Sequence, residues 1–227
     1  MAAEVSNDCL ISYVDSRDYS RDLDAVRIVW SLPTVLETAG TLVFLTYLTL
    51  PALLAVRPPS GALARSVLDG QRERRFLLRA LGLDPDPRWR GGIGNARTHQ
   101  AVGSLSRYHG RLAGMRQEYL DFIAAVIALA PLRVRARLGA DPATGDRAGY
   151  WRYARCLFSL FGTALPGEEA TEASCDSFVR EHAGRSAEGG ALLASLYAHH
   201  PAYVGLALPS LFDSSRLVAA SFLEDGA

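Results

Sequence analysis

A chain of 227 residues is long enough for one domain with a substantial core and barely long enough for two small ones. Hydrophobic residues at 49% and charged residues at 21% exclude an intrinsically disordered chain, and a formal net charge of zero removes the electrostatic case for a nucleic-acid partner. All 24 basic residues are arginine, so Schiff-base and pyridoxal-phosphate chemistry and a phosphate-binding Walker lysine are excluded for want of an amine.

The first residues, Met1 to Tyr19, are polar and acidic and lack the basic-then-apolar layout of a secretory signal. Residues 1–21 are therefore read as a polar N-terminal segment and 22–227 as one helical domain. A first helix is predicted from about Asp22 to Trp30, stopping before Pro33. The run from Ala39 to Val56 holds 18 uncharged residues, the lower limit for a membrane span, but Pro51 and three threonines interrupt it. A buried core helix kinked at Pro51 is expected, with a membrane-contacting segment as the rival reading.

Arg57 to Gly61 reads as a turn in which Ser60 caps a following helix. That helix carries Arg72, Arg74, Arg75 and Arg79 interleaved with Phe76, Leu77, Leu78 and Leu81, which gives one cationic and one apolar face, and it is expected to end near Gly82. Asp84-Pro85-Asp86-Pro87 makes a stiff connector, and Gly91 to Gly94 leads into the next helix. On that helix Val102, Leu105, His109 and Leu112 are spaced three, four and three apart, so His109 lies on the apolar face. Two readings of this imidazole stand side by side: a core histidine satisfied by a neighbour, or a metal ligand. His99, near the start of the same helix among polar neighbours, is expected to be more exposed.

A helix from about Met115 to Leu138 follows, stopped by Gly139, with Arg133, Arg135 and Arg137 as a basic C-terminus. Another follows Asp141-Pro142, with Trp151, Ala154, Leu157, Phe158 and Phe161 on one side. After Pro166-Gly167, helices are expected at Ala170 to His182, Gly190 to Ala198 and Ser210 to Leu223, while His199 and His200 adjoin Pro201 at a helix end. Alternating period-two runs are scarce and no hairpin turn dipeptide occurs, so the fold class is all-α, a single domain of about eight to ten helices.

No HExxH, ExxH, GxSxG or GxGxxG unit is present, and Cys9, Cys156 and Cys175 form no CxxC pair. The odd, widely spaced cysteines point to a reducing, cytoplasmic setting.

Several short patterns occur in a telling order: Leu45-Thr46-Tyr47, Pro51-Ala52-Leu53, Ser60-Gly61-Ala62-Leu63, the arginine run, Ser106-Arg107-Tyr108-His109, Tyr119 to Phe122, Arg137-Leu138-Gly139 and Tyr150-Trp151-Arg152-Tyr153. Together, over roughly Ala39 to Pro166, they resemble the MpaB/rubber-oxygenase (latex-clearing protein) catalytic domain. The resemblance implies a globin-like helical fold, haem b as cofactor and dioxygen as co-substrate. It also implies oxidative cleavage of carbon-carbon double bonds in a hydrophobic isoprenoid-like molecule. His109 would be the proximal iron ligand, with Arg107 among the cofactor-binding residues. The distal basic residue maps onto Arg72 or Arg75, either of which would contact the propionates or polarise dioxygen. Phe76 or Arg79 stands where the family carries a threonine. Two other expectations are a haem-free helical protein that binds a lipophilic ligand or a partner through Thr34 to Val56, and a cofactor-independent enzyme such as a cyclase.

Overall fold

The computed structural model describes residues 12–56, 77–110, 112 and 114–224. Ten α-helices run in chain order: α1 Arg17–Trp30, α2 Pro33–Leu48, α3 Pro51–Leu54, α4 Ala96–His109, α5 Gln117–Arg137, α6 Thr144–Ser159, α7 Glu168–His182, α8 Ala187–His199, α9 Pro201–Ala207 and α10 Asp213–Glu224. Residues 12–14 and 77–80 are also helical, so the twelve helices among the described residues slightly exceed the expected eight to ten. No strand occurs among them, and the fold is all-α.

α1 begins at Arg17, five residues ahead of the predicted start, because Ser16 caps it by accepting from the Tyr19 N–H and Asp18 lies in the first turn. The residue 21/22 boundary drawn from composition therefore falls inside this helix. Tyr19, Leu23, Val26 and Trp30 make its buried stripe, which packs chiefly on α6. The two helices approach closely at Gly149, where a β-carbon would come within 2.9 Å of Asp22 Oδ1 and 3.1 Å of the Ala25 β-carbon. Only glycine fits there.

Pro33 opens α2 at its first position, where the missing N–H costs nothing. The uncharged run does fold as buried helix, broken after Leu48 and restarted at Pro51. Each of its three threonine hydroxyls returns to a backbone carbonyl, Thr41 to Glu37 and Thr46 to Leu42 within α2 and Thr49, at the break, to Thr46. Thr49 also shares a 2.8 Å bond with Ser215 of α10. Among the described residues no single helix is long and apolar enough to cross a membrane; α1 and α2 together are, but they meet at 84°.

α2 packs on both α5 and α9, α7 packs on α5, and α10 packs on α8. α5 ends where expected, with Gly139 at φ 64°. Among the described residues one continuous core runs from Tyr19 to Ala219. α9 is an addition to the sequence reading: Pro201 starts a new helix instead of merely ending α8.

Two of the three arginines at the α5 terminus turn inward, while Arg137 is exposed. Arg135 is 8% exposed, and its guanidinium donates to the Ala140, Ile28 and Val29 carbonyls at 2.8, 3.1 and 3.4 Å, closing the C-terminus of α1. Arg133 donates to the Ser210 and Leu211 carbonyls, pairs with Glu172 and lies 4.3 Å from the centre of the Phe212 ring.

Candidate functional site

α4 carries His109, and its start is built by Asn95. The Asn95 side chain accepts from the Arg97 N–H at 2.9 Å and donates to the Arg88 and Arg90 carbonyls, fixing the incoming loop to the first turn. Two tyrosines from other helices hold that loop. Tyr153 of α6 accepts from the Ile93 N–H at 2.9 Å and donates to the Ala80 carbonyl at 2.8 Å. Tyr19 of α1 accepts from the Gly94 N–H at 2.8 Å and donates to the Gly91 carbonyl. Gly92, at φ 53°, lets the chain pass beneath the Tyr153 hydroxyl, since a β-carbon there would lie 2.0 Å from that oxygen. Burial raises the pKa of both phenols above 10.0, so both remain hydrogen-bond donors at physiological pH.

A third group locks α1 to α6. Asp22 is fully buried and accepts from Arg152 at 2.6 and 3.0 Å and from the Tyr13 hydroxyl at 2.8 Å. Burial, then the neighbouring carboxylate, raises the pKa of Tyr13. The whole Tyr150-Trp151-Arg152-Tyr153 run is accounted for by such ties, because Tyr150 donates to the Ala128 carbonyl and Trp151 to that of Pro166. Sequence reasoning picked out this run by resemblance but not its partners, which lie as far as 130 residues away.

His109 closes the last turn of α4 and is half-buried. Along the same face Thr98 is fully buried, Val102 is 2% exposed and Leu105 is half-buried. Two hydroxyls of this helix, Thr98 Oγ1 and Ser106 Oγ, are among seven buried side-chain polar atoms that have no hydrogen-bond partner among the described residues. Arg107 is exposed and donates to Ser104 of its own helix at 3.2 Å, so it is directed along the surface of α4. Arg72 and Arg75 lie outside the described residues. The last arginine of that run, Arg79, pairs with Asp84 at 3.0 Å and stacks on Trp89, which ties it to the connector. The stretch leading toward the run ends at Val56, and Val56 lies 3.9 Å from the β-position of Gly114, five residues after His109.

The remaining histidines are apart from this face. His99 is exposed, with Nε2 against the Ile93 carbonyl; His182 packs on Phe178; His199 bonds to the Ser195 carbonyl at 2.7 Å. Among the described residues no group of three or more His, Cys, Asp or Glu side chains is placed to hold a metal ion. A haem needs only one axial nitrogen from the protein face on which it rests. A half-buried imidazole, an apolar stripe beside it and a buried hydroxyl lacking a partner one turn away are a donor set that fits such a group. No family model, curated protein or solved structure matches the chain.

Proposed function

We propose that this chain is a haem b-dependent oxidoreductase of the MpaB type, acting with dioxygen on a hydrophobic, isoprenoid- or polyketide-like molecule. One observation carries the reading. His109 is half-buried on the same face of α4 as buried Val102, and Val56 lies 3.9 Å from where a β-carbon would stand on Gly114, five residues after it. The order of motifs along the sequence adds support.

When bound, the haem supplies the dioxygen and electron chemistry. The chain's share is to hold and shield it. His109 would hold the iron through an imidazole nitrogen, and Val102 and Leu105 would give an apolar wall that limits water. Arg72 or Arg75 would pair with the carboxylates of such a group. The loop staples of Tyr19 and Tyr153 fix where α4 starts, and so where His109 stands.

The test is an absorption spectrum of the purified protein, and of the same protein after hemin is added. A Soret band that is lost in His109→Ala supports the reading. A colourless protein that ignores hemin ends it and leaves a haem-free lipophile binder or a cofactor-independent enzyme on the same helices.

A further inference from the structure

Three tyrosines line up along the seam between α1 and α6, and their hydroxyls do not meet the same kind of acceptor. Tyr153 stacks on Tyr19 at 6.1 Å, and Tyr19 meets the half-buried Tyr13 edge to face at 5.6 Å, so ring contact runs unbroken outward from the core. Tyr153 and Tyr19 donate to the Ala80 and Gly91 carbonyls, as Tyr150 and Tyr47 donate to those of Ala128 and Leu53. An amide carbonyl is no base at neutral pH. Tyr13 donates instead to Oδ2 of Asp22 at 2.8 Å, a fully buried carboxylate that Arg152 holds with two bonds. Burial, then that carboxylate, keeps the Tyr13 phenol protonated in the resting protein. A neutral phenol yields an electron readily only when its proton can leave at the same moment, and of the three stacked rings Tyr13 is the one with a base to receive it.

We infer that Tyr13 is a redox-active residue, the place on this seam where a one-electron oxidant takes an electron while Asp22 takes the proton. The step balances. Tyr13 loses one electron to the oxidant and its hydroxyl proton to Asp22 Oδ2, which leaves a neutral phenoxyl beside a carboxylic acid, and a one-electron reductant reverses both transfers. Tyr19 and Tyr153 face carbonyls, so an electron vacancy on either ring is filled from Tyr13 and their bonds to the loop before α4 are spared. The inference goes beyond the proposed function and does not need iron, since any one-electron oxidant of sufficient potential serves.

The experiment is photo-oxidation of the full-length protein by tris(bipyridyl)ruthenium with persulfate, read by the transient absorbance and the paramagnetic resonance of the tyrosyl radical. Exposure alone would direct the oxidant to Tyr197, which is 45% exposed, ahead of half-buried Tyr13. Tyr13→Phe should instead remove most of the signal, and Tyr197→Phe should leave it in place. Asp22→Asn keeps the Tyr13 ring and the shape of its partner but not the base, and should slow radical formation by about a hundredfold with unchanged helicity by circular dichroism. A bond with a structural role alone would not move that rate. A signal that survives Tyr13→Phe overturns the inference, as does one that forms at the wild-type rate in folded Asp22→Asn. The outcome is separable from the haem test. A Tyr13 radical without a Soret band leaves this site standing and removes the oxygenase, whereas a Soret band without the radical does the reverse.

Discussion

Tyr19 and Tyr153 stack with ring centroids 6.1 Å apart, one from α1 and one from α6, and each hydroxyl both accepts from and donates to the backbone of the loop between Ala80 and Gly94. The pair thus joins three segments at one point. Tyr153→Phe keeps the ring but leaves the Ile93 N–H and the Ala80 carbonyl without partners. The expected cost is about 2 kcal/mol in urea unfolding, with faster amide exchange at Ile93. An unchanged Ile93 exchange rate would mean that another group takes over the bond.

Asp22 and Arg152 should respond unequally to substitution. Asp22 is fully buried while the Arg152 side chain is 47% exposed. Asp22→Asn retains the shape and an acceptor oxygen, and is expected to cost about 1 kcal/mol. Arg152→Ala strands a carboxylate with only Tyr13 as donor, and is expected to cost about 3 kcal/mol. Thermal melts of the two variants decide the order.

Cys175 gives a pH dependence. Burial, then the nearby Asp176, pushes the thiol from an ordinary 9.0 up to about 12 in the folded protein. The unfolded chain therefore ionises first. The contribution is fully present below about pH 9 and declines as pH rises from there toward 12. Cys175→Ala should flatten that alkaline decline in chemical unfolding, and the native thiol should stay inert to Ellman's reagent until the protein unfolds.

Arg135 is expected to tolerate no replacement by lysine. Its fork reaches three carbonyls from two segments, a geometry that a single ammonium cannot reproduce. Both Arg135→Lys and Arg135→Ala should lose about 2 kcal/mol, read by urea unfolding. Full stability in the lysine variant would show that one bond suffices.

For the proposed oxygenase, Arg75→Ala should keep the Soret band and lower dioxygen uptake by about a hundredfold. Uptake at the wild-type rate would assign that side chain to the surface and leave Arg72 as the candidate.

The helices were legible because their stops are chemical. Pro33, Pro51, Gly82 and Gly139 each end or begin a segment where backbone sterics require it. Apolar spacing identified the buried face of α4 through Val102. The early start of α1 was hidden because Ser16 to Ser20 is polar and its order comes from capping and from the burial of Tyr19. α9 was hidden because proline serves equally to close one helix and to open another. The interior roles of Arg133, Arg135 and Asp22 depend on partners 39 to 130 residues distant, which no local pattern encodes. Thr98 and Ser106 escaped notice because hydrophobic periodicity does not score hydroxyls.

The tyrosine staples also set an order of events during synthesis. The bonds that anchor the entry to α4 span 60 to 75 residues, and half of them wait for Tyr153. When His109 leaves the ribosome only the two Tyr19 bonds can form, and the two Tyr153 bonds follow once α6 has emerged and docked on α1. A stalled chain ending before Tyr153 should therefore expose the α4 face to proteases and chaperones, whatever ligand that face finally takes.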